Sequence, residues 1–158
     1  MLPPTTSKKG SKNSKEWSWS ENEQQVFDNL KVILSEPPVL AYPDFSKPFE
    51  LHTDASILGL GAVLYQVEGK DKRVIAYASR SLTPSEKKYS AYKLEFLALK
   101  WAVTEKFRDY LQMKHFTVLT DSNPLTYVLT SAKLDATGQR WASALGQFDF
   151  DIFLSSWY

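Results

Sequence analysis

Two carboxylates stand at the ends of two similar stretches. In Phe49-Glu-Leu-His-Thr-Asp-Ala-Ser56, the residues Phe49, Leu51 and Thr53 alternate with Glu50, His52 and Asp54. In His115-Phe-Thr-Val-Leu-Thr-Asp121, Phe116, Val118 and Thr120 alternate with Thr117, Leu119 and Asp121. A period of two marks a strand with one buried face. Asp is a common turn residue, so either carboxylate alone reads as the servant of a turn. Two strands that each deliver an Asp at the same end are a different matter. Lying side by side and parallel, they bring the carboxylates together, and converging carboxylates repel unless a cation neutralises them. Oxygen donors of this kind suit Mg²⁺ or Mn²⁺. His52 and His115 read as strand residues, not catalysts.

A third carboxylate is expected from the helix between the strands. Thr83-Pro-Ser-Glu86 has the form of a helix start: Thr as cap, Pro in the first turn, Glu three residues on. The helix is expected from Ser85 to about Tyr110, with Leu94, Leu97, Trp101 and Tyr110 on its apolar face. Among Glu86, Glu95 and Glu105, Glu95 stands out, because Ala91, Ala98 and Ala102 lie at i−4, i+3 and i+7. An alanine stripe lets a helix approach a sheet closely. Glutamate is rarely buried without a partner, so a cation would satisfy this one. The alternative is a boundary glutamate paired with a lysine of its own helix. Lys88 and Lys100 are poorly spaced for that.

The elements that must hold these groups follow in chain order. Residues 1–16 are Pro, Thr, Ser, Gly and Lys with little to bury, and read as a flexible basic tail. Residues 17–48 hold a helix opened by Ser20-Glu-Asn-Glu23, with Val26, Phe27, Leu30, Ile33 and Leu34 at helical spacing. That helix is expected to stop before Pro37-Pro38, and an extended connector follows. After the first Asp strand, a turn at Gly59-Leu-Gly61 leads to a second strand, and Gly69-Lys-Asp-Lys72 to a third over Arg73–Ser81. Past the second Asp strand, Asn123 caps a short helix with Pro124 at its first position. Asp135 or Thr137 caps another, and Phe148–Phe153 forms a fifth strand. Three strands in a meander, then a helical crossover to a parallel strand, can set Asp54 beside Asp121.

Length and composition bound the rest. At 158 residues and 43% hydrophobic, the chain suits one domain with a sizeable core. A formal net charge of +1 gives no global basic field, so any nucleic-acid binding rests on a local patch. The absence of cysteine removes disulfides and thiolate chemistry and fits a reducing compartment; intracellular localisation, cytoplasmic or nuclear, is expected. No apolar run approaches the ~20 residues of a membrane span, so no membrane partner is expected.

Four segments carry a family resemblance. They are Thr53-Asp-Ala-Ser with the following Gly59-Leu-Gly-Ala-Val-Leu64, Ile75-Ala-Tyr-Ala-Ser-Arg-Ser-Leu82, Leu94-Glu-Phe-Leu-Ala-Leu99 and Thr120-Asp-Ser-Asn-Pro-Leu-Thr-Tyr127. Together they closely resemble the ribonuclease H domain of gypsy-type LTR-retrotransposon reverse transcriptases. Trp17 to Phe49 resembles the end of the polymerase part that leads into it. The resemblance implies an α/β fold: a mixed five-stranded sheet flanked by helices, over residues 49–158. It implies that Asp54, Glu95 and Asp121 are catalytic, binding two Mg²⁺ ions, with Mn²⁺ as a substitute, to cut the RNA strand of an RNA–DNA hybrid. Asn123 resembles a position that touches the RNA minor groove, and Ser56 and Tyr92 are further candidates for hybrid contacts. Tyr92 reads equally as a core aromatic. The polymerase part of a reverse transcriptase is a candidate partner.

The chain departs from the family in two ways. It lacks the Tyr-x-Asp-Asp type polymerase motif, so no DNA synthesis is expected of it. It also ends at Tyr158, before the turn and final helix that carry the family's fourth carboxylate. Trp157 and Tyr158 are expected to fold back as a partial cover for strand five. Weakened nuclease activity follows as an expectation; the alternative is a non-catalytic nucleic-acid-binding or interaction remnant of a retrotransposon polyprotein.

Overall fold

The computed structural model describes residues 18–36, 40–130 and 133–155. The basic tail, Trp17, the stop at Pro37-Pro38 and the fold-back of Trp157 and Tyr158 lie outside the described residues.

Five strands form one mixed sheet: β1 (Phe49–Ala55), β2 (Gly59–Glu68), β3 (Asp71–Ser81), β4 (His115–Thr120) and β5 (Asp149–Leu154). Their order is β3-β2-β1-β4-β5. The first three make the expected antiparallel meander, while β4 runs parallel to β1 and β5 parallel to β4. The joints differ from the sequence reading. β2 already begins at Gly59, so the first turn is Ser56–Leu58, where the Ser56 Oγ accepts from the Leu58 and Gly59 N–H groups at 3.2 Å. β3 begins at Asp71, leaving Gly69-Lys70 as a two-residue turn with Gly69 at φ +64°. Gly59 has a steric reason: a Cβ there would lie 2.7 Å from the Arg80 carbonyl oxygen. Gly59→Ala is expected to destabilise the fold by about 1–3 kcal/mol, because a backbone atom cannot step aside. Urea denaturation measures it, and an unchanged midpoint would contradict the close approach.

The alternation of β1 and β4 is borne out. Phe49, Leu51, Thr53, Phe116, Val118 and Thr120 are all buried. On that side α2 (Ala91–Trp101), whose Leu94, Leu97, Ala98 and Trp101 are buried too, packs on β1 and β2, and α4 (Ala136–Leu145) packs against α2. Asp135 caps α4 through the Gly138 N–H.

The single long helix from Ser85 to Tyr110 is corrected. Thr83 and Glu86 do form their reciprocal cap, but it closes only a 3-10 turn over Glu86–Lys88. The Ser90 side chain then accepts from the Lys93 N–H and starts α2 afresh. Past Trp101 the helix widens into a π turn over Ala102–Lys106, spanned by a Lys100–Glu105 ion pair, and Tyr110 lies in the separate α3 (Arg108–Leu111). The short helix after β4 is a 3-10 turn over Asn123–Tyr127; Ser122 precedes it, so Asn123 is its first residue and not its cap.

The helix α1 (Glu21–Ser35) has the expected Ser20/Glu23 capping box but buries none of its residues. Val26, Phe27, Leu30, Ile33 and Leu34 share its exposed surface. The connector reaches the sheet beyond it. Leu40 bridges to Val74 on the β3 edge, and Ala41 donates to the Val74 carbonyl at 2.8 Å. No helix among the described residues is long and apolar enough to cross a membrane.

Candidate metal centre

Strand register brings the two aspartates together. Phe49 pairs with Phe116 and His52 with Leu119 in the parallel β1–β4 ladder. Continued by two residues, the same offset sets Asp54 opposite Asp121, just past the end of β4. Both are exposed at the strand ends. The third group comes from the helix on the buried face. Ala98 and Ala102 have no exposed surface, so the backbone of α2 and the π turn lies close against its neighbours at Glu95. Ala91, the remaining member of the alanine stripe, is exposed. Asp54, Glu95 and Asp121 each offer a carboxylate oxygen, and the three oxygens lie within 4.8 Å of one another. The intrahelical alternative for Glu95 is not what forms, since Lys100 bonds Glu105.

Electrostatics single out Glu95. Burial, then the charges of Asp121 and Asp54, push its carboxyl up to about 7; the Ala55 backbone N–H favours the charged form and opposes part of that rise. Its Oε2 is buried and has no hydrogen-bond partner. An orphaned carboxylate oxygen facing two more carboxylates is an all-oxygen, anionic donor set, and a hard divalent cation fits it.

The other candidates take separate places. Ser56 is exposed, but its hydroxyl is engaged in the β1–β2 turn. Asn123 is exposed two residues past Asp121. Tyr92 is half-buried, one turn before Phe96, with its ring 6.5 Å from the Phe96 ring. Its hydroxyl is buried without a hydrogen-bond partner, and the residue lines a cavity of about 230 Å³ with Ser90, Lys93 and Trp141. It lies on the same helix as Glu95, three residues before it. His115 lies at the far end of β4 beside Asp149 and Asp151. His52 sits on β1 with its Nε2 2.5 Å from Glu50 Oε1, which also accepts from Lys72.

Two features escaped the sequence reading. One is a groove of about 640 Å³ that runs from Asp54 and Asp121 along His52, Val63, Tyr77 and Leu119. The alternation of β1, β2 and β4 carried the signal, since Val63 and Leu119 are apolar on the face away from the core. The other is the pair of Arg80 with Glu86, which joins β3 to the loop before α2.

Comparison with known proteins decides the family. The model of the RNase H-like domain found in reverse transcriptase matches residues 19–118. The chain belongs to that family. The Pol polyprotein of the Drosophila melanogaster transposon 412 is 39% identical over 136 residues, which is 86% of this chain and 11% of the relative. That of the Drosophila transposon gypsy is 39% identical over 137 residues, 85% of this chain and 13% of the relative. The chain thus spans about a tenth of the length of these curated relatives.

Solved structures agree on the fold. The foamy viral protease-reverse transcriptase with double-stranded DNA superposes with a TM-score of 0.70 at 17% identity, over 88% of this chain and 27% of that one. The same viral enzyme with an RNA/DNA hybrid gives 0.62 at 18%, over 89% and 20%. RNase H1 of Halobacterium salinarum gives 0.51 at 18%, over 68% and 85%. The expected mixed five-stranded sheet with flanking helices is the RNase H fold.

Proposed function

We propose that this RNase H-like domain cuts the RNA strand of RNA–DNA hybrids by metal-dependent hydrolysis. The convergence of Asp54, Glu95 and Asp121, with the Glu95 Oε2 left unpartnered, is the observation that carries the reading. These three residues would hold Mg²⁺, or Mn²⁺ in its place. When bound, the ions supply an activated water and stabilisation of the leaving oxygen, as in two-metal phosphodiester hydrolysis.

The chain's own groups have distinct tasks. Asp54 and Asp121 stand exposed at the mouth, where a phosphodiester can reach them. Glu95 closes the site from the helix side, and its half-buried carboxylate keeps bulk water off that flank. Asn123, exposed beside Asp121, offers amide donors and an acceptor to a ribose 2′-hydroxyl, the group that separates RNA from DNA. Ser56 acts through the shape of its turn. Tyr92 belongs to the wall of the neighbouring cavity. Within this reading residues 49–158 form the nuclease unit. Residues 17–48 lead into it from the polymerase part of a reverse transcriptase, and that part covers the apolar surface of α1. The hybrid-bound foamy viral enzyme lends support to an RNA–DNA hybrid as substrate.

A fluorogenic RNA–DNA hybrid assayed with and without Mg²⁺ tests the proposal. Cleavage is expected only with metal and only on the RNA strand. Asn123→Ala is expected to raise KM for the hybrid about fivefold while leaving Mn²⁺ affinity within about twofold, since it removes a hydrogen bond to substrate alone. Equal cutting of double-stranded DNA would mark a different nuclease. Hybrid binding without cleavage would mark a non-catalytic remnant.

A further inference from the structure

Glu95 is useful only if α2 holds it in one place relative to the strand ends. A ligand set loses function when its members drift by a fraction of an ångström. The apolar face of α2 resists separation from the sheet, but Leu94, Leu97 and Ala98 make non-directional contacts that tolerate small slides. Directional contacts set the position. The Ala55 N–H of β1 bonds the Glu95 carboxylate itself, and on one side Lys93 donates to Asp135, the cap of α4, at 2.6 Å. On the other side the directional group is Arg80.

Arg80 lies on β3, and its guanidinium makes a two-pronged bond to Glu86, with Nη1 to Oε2 at 2.7 Å and Nη2 to Oε1 at 2.8 Å. Nη1 also donates to the Ser81 carbonyl at 3.1 Å. The same guanidinium lies 5.6 Å from the ring of Trp101, the last residue of α2, which is almost wholly buried. Glu86 in turn accepts from the Thr83 N–H at 2.8 Å. One side chain therefore ties together the end of β3, the loop that leads into α2, and the C-terminal turn of α2. Glu95 stands between the two tied ends. Arg80 also lines a cleft with Asp54 and Ser79.

We propose that Arg80 is a positioning residue for the metal centre: its bond to Glu86 and its contact with Trp101 fix α2 so that Glu95 faces Asp54 and Asp121. The proposal rests on the metal-binding reading of that cluster, not on the identity of the substrate. Lysine cannot replace Arg80 in full, because an ammonium keeps the charge over Trp101 but not the planar two-pronged bond.

The test compares Arg80→Gln and Arg80→Lys with a control of matched stability, Phe150→Leu, which loosens the Phe116–Phe150 stack at the opposite end of the sheet. Mn²⁺ affinity is read by calorimetry, melting temperature in EDTA, and kcat and KM on a hybrid. Arg80→Gln is expected to weaken Mn²⁺ binding about tenfold and to lower kcat about tenfold with KM within about twofold, since a small misplacement of a ligand acts on chemistry more than on substrate binding. Arg80→Lys should fall between Gln and the unmutated protein, and Phe150→Leu should melt lower with Mn²⁺ affinity unchanged. Unaltered Mn²⁺ affinity in Arg80→Gln overturns the proposal, and so does an equal loss in Phe150→Leu. Weakened Mn²⁺ binding in a chain that cuts no hybrid at all would uphold the positioning role and sink the nuclease reading instead.

Discussion

Glu95→Gln is expected to melt higher than the unmutated protein in EDTA at pH 8, and to lose the stabilisation that Mn²⁺ gives it. The reason lies in the direction of one pKa. The Glu95 carboxyl is pushed up to about 7 by burial and by Asp121 and Asp54, against an ordinary value of 4.5. Below about pH 4.5 it is protonated in both folded and unfolded chains and costs nothing. Between about 4.5 and 7 the unfolded chain releases its proton while the folded one keeps it, so stability falls as pH rises. Above about 7 the folded protein carries the full penalty of a third negative charge in the cluster.

Because the carboxylate is only half-buried, solvent screening trims that penalty to about 1–2 kcal/mol, or about 3–6 °C in melting temperature. A neutral amide removes it and donates to the neighbouring carboxylates. A divalent cation reverses the preference, since it binds the ionised form and the native state alone. The unmutated protein should therefore gain stability with Mn²⁺ at pH 8 and little at pH 5. A Glu95→Gln protein that melts lower than the parent in EDTA at pH 8 would show that Glu95 is not electrostatically strained.

How much of this was legible in the chain depends on the range of each interaction. The alternation in Phe49–Asp54 and Phe116–Asp121 is local, and it predicted which residues face the core and where each Asp falls. The meander and crossover allowed β4 to lie parallel beside β1, but the β3 edge was open to it as well, and the offset that sets Asp54 against Asp121 became visible only in the β1–β4 register. Of the alanines spaced around Glu95, Ala98 and Ala102 are buried as the spacing implied, while Ala91 is exposed and Ala102 falls in the π turn past α2. The break before α2 was not legible. Thr83-Pro-Ser-Glu86 satisfies every local rule for a helix start and forms its cap, yet Ser90 offers the backbone a second cap seven residues after Thr83. α1 shows the opposite limit: its periodicity identified an apolar face, but periodicity does not say what that face rests on. Arg80–Glu86 spans only six positions, but they lie on either side of a strand end, where no helical or strand period applies.

Asp54→Asn is expected to abolish both the Mn²⁺-dependent rise in melting temperature and any hybrid cleavage, while the fold is kept. Asp54 is exposed at the end of β1, opposite Gly61 in the ladder with β2, so an isosteric amide disturbs no packing. What it removes is charge. An aspartate carboxylate is a strong ligand for a hard cation, and an amide oxygen is a weak one. With Asp54 neutral, Glu95 and Asp121 are left as two carboxylates from a helix and a loop, without the strand-borne group opposite them. Loss of several kcal/mol of charge stabilisation corresponds to a fall of about 10³-fold or more in kcat. In EDTA the variant should melt no lower than the parent, because one of the repelling charges is gone. Asp121→Asn should behave alike, whereas Asn123→Ala should keep the Mn²⁺ response. The two measurements separate the competing roles of a strand-end aspartate. An Asp that merely served the β1–β2 turn would, when changed to Asn, leave the Mn²⁺ response intact. One that serves the cluster loses that response at once, with the melting temperature in EDTA unharmed.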